Sequence, residues 1–118
     1  MQTHWSAITS KDFGNLLYRY NLDAVLVWNN HGEKNVYLGA EISDYWQLFF
    51  SQHAIGAYRV SNVERDRDVI KAEIIAKVRS SKGNVKKLHI THQLQVDSRG
   101  KISQEVWTLN GATTKERK

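Results

Sequence analysis

From Ile70 to Leu109 apolar side chains recur at every second position through three successive runs, and no other feature constrains the fold as tightly. The first stripe is Ile70, Ala72, Ile74, Ala76 and Val78. The second is Leu88, Ile90, His92, Leu94 and Val96, and the third runs from Ile102 to Leu109. A period of two places each stripe on one face of a β-strand. Ser80-Ser81-Lys82-Gly83-Asn84 and Asp97-Ser98-Arg99-Gly100 separate the runs with residues that favour turns. Long strands joined by tight turns make an antiparallel meander. Tyr58 to Glu64 also alternates and leads in through the charged turn Arg65-Asp66-Arg67-Asp68.

The N-terminal half supplies what such a sheet packs against. Ile42, Tyr45, Trp46, Phe49 and Phe50 fall at i, i+3, i+4, i+7 and i+8, one aromatic face of a helix that wants a large apolar surface opposite it. Trp5 and Ile8 suggest a short helix over residues 4–9. Ser10 reads as the N-cap of a second helix, with Asp12 in its first turn and Phe13, Leu16, Leu17 and Tyr20 on one side. Asp23 to Trp28 reads as a strand, Asn29-Asn30-His31-Gly32 as a turn, and Val36 to Leu38 as a short strand. Residues 1–109 form one domain on this pattern. Residues 110–118 lack periodicity and are expected to be a flexible basic tail.

Several function classes fall away. The chain has no cysteine, which excludes disulfides and thiolate chemistry. No run approaches the ~18 apolar residues of a membrane span, and the first ten residues do not resemble a secretory signal, so a cytoplasmic location is expected. The formal charge of +5 is dispersed among acids rather than gathered in a stripe, which argues against a nucleic-acid partner. No metal or other cofactor is expected. His89 and His92 are three apart on a strand and face opposite ways, no carboxylate facial set is visible, and no H-E-x-x-H motif, serine elbow or glycine-rich phosphate loop occurs.

Trp5-Ser6-Ala7-Ile8, Asp12-Phe13, Leu16-Leu17, Tyr20 and Asp23-Ala24-Val25 resemble the opening motif of the nuclear transport factor 2-like superfamily. Gly39 before Tyr45-Trp46 is similar to its aromatic helix, and Asp97-Ser98-Arg99-Gly100-Lys101-Ile102 to its D-x-x-G-K-I hairpin. The likeness spans about residues 4–109. It implies an α+β, cone-shaped, barrel-like fold with N-terminal helices packed on a strongly curved antiparallel sheet over an apolar pocket, often dimeric through the sheet. Its members include SnoaL-like cyclases, ketosteroid isomerases, epoxide hydrolases, dehydratases and non-catalytic domains, so fold alone does not select a function. The isomerase's base falls at Trp28, its oxyanion tyrosine at His4 and its oxyanion acid at His92. All three depart from the isomerase, and its activity is not expected here.

Two function classes follow. One is a SnoaL-like domain binding an apolar small molecule, lined by His4, Tyr20, Trp28, Trp46, Phe49, Ile90 and Trp107, with or without acid–base turnover. The other is a dimeric assembly module whose pocket is filled. His92 shares the inward stripe with Ile90 and Leu94, either as a hydrogen-bonded core histidine or as a general acid–base group beside Glu105. The turn leaves two registers open. A two-residue loop sets His92 opposite Glu105, whereas a three-residue loop with Gly100 left-handed sets it opposite Val106 and turns Ile102 inward. Val69, Ile75, Val85 and Ile102 or Val106 are expected on the outer face, where they suit a homodimer.

Overall fold

The computed structural model describes residues 1–115. Its elements are α1 (Gln2–Thr9), α2 (Phe13–Tyr18), β1 (Tyr20–Asn30), β2 (Glu33–Leu38), α3 (Glu41–Gln52), β3 (His53–Asp66), β4 (Val69–Ser80), β5 (Val85–Val96) and β6 (Ile102–Lys115). The six strands lie in the order β2-β1-β6-β5-β4-β3, and β3 to β6 are the expected meander. Two expectations about the sheet need correction. β1 runs parallel to β6, because three reversals from β3 bring β6 to that edge in the direction of β1. The sheet is also open, with β2 and β3 as its edges, rather than closed into a barrel.

Local chemistry sets the helix boundaries. Asp12, not Ser10, is the N-cap of α2: its carboxylate accepts from the Asn15 amide at 3.3 Å, while Ser10 closes α1. The helix is six residues long, and Tyr20 belongs to β1, paired with Ile102. Glu41 accepts from the Leu38 amide at 2.9 Å and lies with Asp44 in the first turn of α3, where the dipole favours acids. His31 and Gly32 both have positive φ, as a two-residue hairpin turn of the β1–β2 kind requires.

Helix faces and sheet stripes share one core. Ile42 and Trp46 of α3, Trp5 and Ile8 of α1 and Leu16 of α2 are buried with Ala72, Ile74, Ala76 and Ile90 of the meander. Each large side chain sealed there contributes roughly 1.5–3 kcal/mol. The register of β3 shifts at Gly56 and again at Asn62-Val63, and bulges of this kind bend a sheet.

The last hairpin resolves the two expected registers by a third route. Ser98-Arg99-Gly100 is a three-residue loop with Gly100 at φ 81°. Asp97 holds it by accepting from the Arg99 and Lys101 amides. Val96 then pairs with Ile102, but Ser103 is an extra residue, so Gln95 pairs with Gln104, Leu94 with Glu105 and His92 with Trp107. Ile102, Glu105 and Trp107 therefore all face inward, which neither unbulged register allows. Ile102 leaves the expected outer patch for this reason, while Val69, Ile75, Val85 and Val106 are half-buried. β6 also continues past Leu109 to Lys115 along the first half of β5, because main-chain pairing needs no apolar stripe. Residues 116–118 of the expected tail lie outside the described residues. No helix among the described residues is long and apolar enough to cross a membrane.

Candidate functional site

Four elements bring polar side chains together at one end of the core. α1 contributes His4, the first residue of β1 is Tyr20, and β5 and β6 contribute His92 and Glu105. His4 is fully buried, as are His92 and Glu105. One Glu105 oxygen, Oε2, meets Nε2 of His4 at 2.7 Å and Nε2 of His92 at 2.5 Å. The other accepts from the Tyr20 hydroxyl, whose oxygen accepts from Trp46 Nε1–H at 3.1 Å. The His92–Glu105 pair thus forms across a diagonal of the β5–β6 ladder.

The outer partners fix where the protons sit. Trp5 Nε1–H donates to His92 Nδ1 at 2.9 Å, and Arg19 Nε–H donates to His4 Nδ1 at 3.1 Å. Indole and guanidinium can only donate, so each Nδ1 is a lone pair and each ring carries its proton on Nε2. Glu105 is consequently a carboxylate receiving three donors. Burial alone would raise its pKa, but its interactions with His4 and then His92 outweigh that and hold it far below the usual carboxylate range. Burial lowers the pKa of His92 against the opposing pull of Glu105. Tyr20 is pushed well above 10, by burial first and then by the Glu105 charge.

This arrangement limits the available chemistry. A general base needs a free lone pair and a pKa near the working pH. Both His92 nitrogens are engaged, and Glu105 holds its charge too firmly to take a proton at neutral pH. His4, His92 and Glu105 do offer three ligand atoms within 4.8 Å of one another, a set that residues so far apart in sequence could not reveal. Their bonding does not suit a metal. Both Nε2 atoms carry protons, and metal-bound imidazoles usually donate from their second nitrogen, whereas here each second nitrogen accepts.

The cavity lies next to this cluster, toward the other end of the sheet. It measures about 510 Å³, within the range of small-molecule pockets. Small Ala76 on β4 leaves room beneath α3. Of the residues named from the sequence, Trp28, Trp46, Phe49, Ile90 and Trp107 line it, and His4, Tyr20, His92 and Glu105 do not. Trp107 stacks on His92 with ring centroids 4.0 Å apart, and Trp5 meets the same ring edge-on, so indoles wall the cluster off. Trp5, Tyr37, Tyr45 and His53 line the cavity without having been singled out. Trp5 was the most accessible omission, since a core indole needs a partner for its N–H. The polar lining residues Asn30, Gln52, His53, Ser80 and Lys86 come from element ends on one side and, with Asn84 of the β4–β5 turn, form the mouth.

No family model and no curated protein sequence matches the chain. Solved structures do. A Δ5-3-ketosteroid isomerase from Mycobacterium sp. superposes with a TM-score of 0.82 over 97% of this chain and 94% of its own, at 16% identity. SalBIII, an epoxide hydrolase/cyclase-like enzyme of pyran ring formation in the polyether salinomycin, gives 0.80 over 97% and 92%, at 10% identity. RV0760c from Mycobacterium tuberculosis, solved in complex with estradiol-17β-hemisuccinate, gives 0.78 over 95% and 93%, at 15% identity. Likeness at these identities is one of fold, and the fold of this chain, short helices on a six-stranded sheet, is that of the nuclear transport factor 2-like superfamily.

Proposed function

We propose that the chain binds a flat, apolar small molecule in the aromatic cavity, without a cofactor, and that the Glu105 cluster braces the cavity walls rather than turning the ligand over. The carrying observation is the division of labour among the residues. All four tryptophans line one cavity of about 510 Å³, while the acid–base groups sit behind them with every polar atom engaged. The volume speaks against a filled pocket, and the estradiol derivative bound by RV0760c is a ligand of the same shape class.

Tryptophan emission provides the test. Titration with estradiol, progesterone and substituted naphthalenes is expected to change it saturably, and ligand at 100 times Kd should add about 2.7 kcal/mol of stability, seen as a rise in Tm. Val78→Phe places a ring inside the cavity and should abolish binding while holding or raising Tm, because it fills space. A panel in which no compound perturbs emission or Tm sinks the proposal, as does a Val78→Phe protein that binds like the parent.

We also propose a homodimer through the outer sheet face. All three helices pack on the other face, and Ile75 and Val106 are only half-buried on this one. Sedimentation at tens of micromolar should give twice the 13.6 kDa chain mass; a single 13.6 kDa species overturns the dimer and leaves the binding proposal untouched.

A further inference from the structure

We infer that Trp107 sets ligand specificity: its indole N–H is the donor for an acceptor oxygen, a ketone or ether, at the buried end of the flat apolar ligand. The assignment deepens the binding function proposed above and rests on the cavity being a ligand site.

The indoles around the cavity have different duties. Trp5 and Trp46 spend their N–H groups on His92 and Tyr20, away from the cavity. Trp107 presents its face to His92, at 4.0 Å between centroids and 30° between planes, so the bond its neighbours make is closed to it. It is 4% exposed, and its Nε1 has no hydrogen-bond partner among the described residues. Buried donors in folded proteins are nearly always paired. The cavity residues packed on its ring, Trp5, Trp28 and Trp46, carry side-chain donors and no good acceptor. The missing acceptor therefore comes from outside the chain. Nε1 itself is sealed from water, so the acceptor reaches it when a ligand entering between the indoles tilts the ring.

The chemistry of the walls defines the ligand further. An inner end lined by donor-only indoles matches an oxygen that accepts and need not donate. At the mouth, His53 stacks on Phe49 at 5.0 Å and its Nδ1 is likewise buried without a partner. A second polar group on the ligand can meet it there. The body between the two is apolar and planar, to fit between Trp28, Trp46 and Phe49.

The test uses 2-acetylnaphthalene and 2-isopropenylnaphthalene, which match in shape and differ in the carbonyl oxygen. The ketone is expected to bind roughly tenfold more tightly, the scale of one buried hydrogen bond. In ¹H–¹⁵N spectra the Trp107 indole proton should move downfield with the ketone and far less with the hydrocarbon. Trp107→Phe keeps a ring over His92, and it should bring the two affinities within about twofold of each other. Equal binding of both compounds with an unmoved Trp107 resonance overturns the role of Trp107 and leaves the pocket standing as a ligand site. Failure of both compounds to bind overturns the pocket and the role together. Should Trp107→Phe not fold, the affinity ratio and the indole resonance of the unaltered protein decide the matter alone.

Discussion

Glu105→Ala is expected to remove about 3–5 kcal/mol of folding stability, a large part of the 5–15 kcal/mol typical of a domain. The cause is not a lost ion pair at the surface. Glu105 is the shared acceptor of three buried donors, the Tyr20 hydroxyl and the Nε2–H groups of His4 and His92, and alanine strands all three. Each stranded donor costs about 1–3 kcal/mol, reduced where the cavity relaxes or admits water. Glu105→Gln keeps the shape and one accepting oxygen but turns an amide N–H₂ toward a donor, so it should cost about 1–3 kcal/mol. Urea midpoints at pH 7.5 measure both. An alanine variant within about 0.5 kcal/mol of the parent, the range of neutral surface changes, contradicts the network.

Stability should also form a plateau in pH with a distinct edge on each side. On the acid side, His92 has a folded-state pKa below its ordinary value of 6.5. Its neutral form is favoured by folding, so its contribution is complete above about pH 6.5 and declines as pH falls below that. Glu105 is depressed as well; its contribution is complete above its unfolded value of 4.5 and is lost progressively below it. On the alkaline side, burial raises both Tyr20 and Tyr45 well above 10. Their contributions are intact below pH 10 and fall away above it. Each group adds a limiting slope of about 1.4 kcal/mol per pH unit within its window. Urea midpoints between pH 3 and 11 should therefore be level from about 8 to 9.5 and, after a shallow slope from the partly buried amino terminus, whose pKa is lowered from 8.0, show a first decline below about 6.5 and a steeper one below about 4.5. His92→Gln should erase the first decline and spare the second. An unchanged profile in that variant, or stability that climbs as pH drops through 6, is incompatible with the proton placement described.

How far the sequence could be read depended on what periodicity encodes. Alternation assigns a residue to a face, and it turned His92 inward and put Trp107 in the core. It does not say how far along that face a residue lies. Ile90 and His92 share a stripe, yet two residues of strand, about 6.6 Å, separate a residue that lines the cavity from one sealed behind indoles. The cluster itself joins positions 4, 20, 92 and 105, whose proximity depends on β1 lying beside β6 and on α1 folding back so that His4 reaches Glu105. No local spacing carries that. Tyr20 illustrates the competition between signals: its i+7 position suits the apolar face of α2, but pairing with Ile102 draws it into β1. Arg19, which orients His4, carries no local signal of that role, because it depends on a lone pair whose location becomes visible only with the fold.

The extra residue in β6 gives this strand something like a reading frame. Even-numbered Ile102 faces the core before Ser103, and odd-numbered Glu105 and Trp107 do so after it. A second shift, at Asn110, returns the pairing with β5 to even parity, Leu88 with Ala112. Deleting Ser103 would close this bulge and leave every pairing of β6 with β5 in place, whereas deleting Val106 would be a frameshift in three dimensions. Whichever of the two extra residues, Ser103 or Asn110, absorbed that gap, either Glu105 or Trp107 would exchange inside for outside while keeping its sequence and its strand. Lineages of this chain should therefore accept length changes in the Ser98–Gly100 loop and the loss of Ser103, but not a single-residue gap between Glu105 and Trp107.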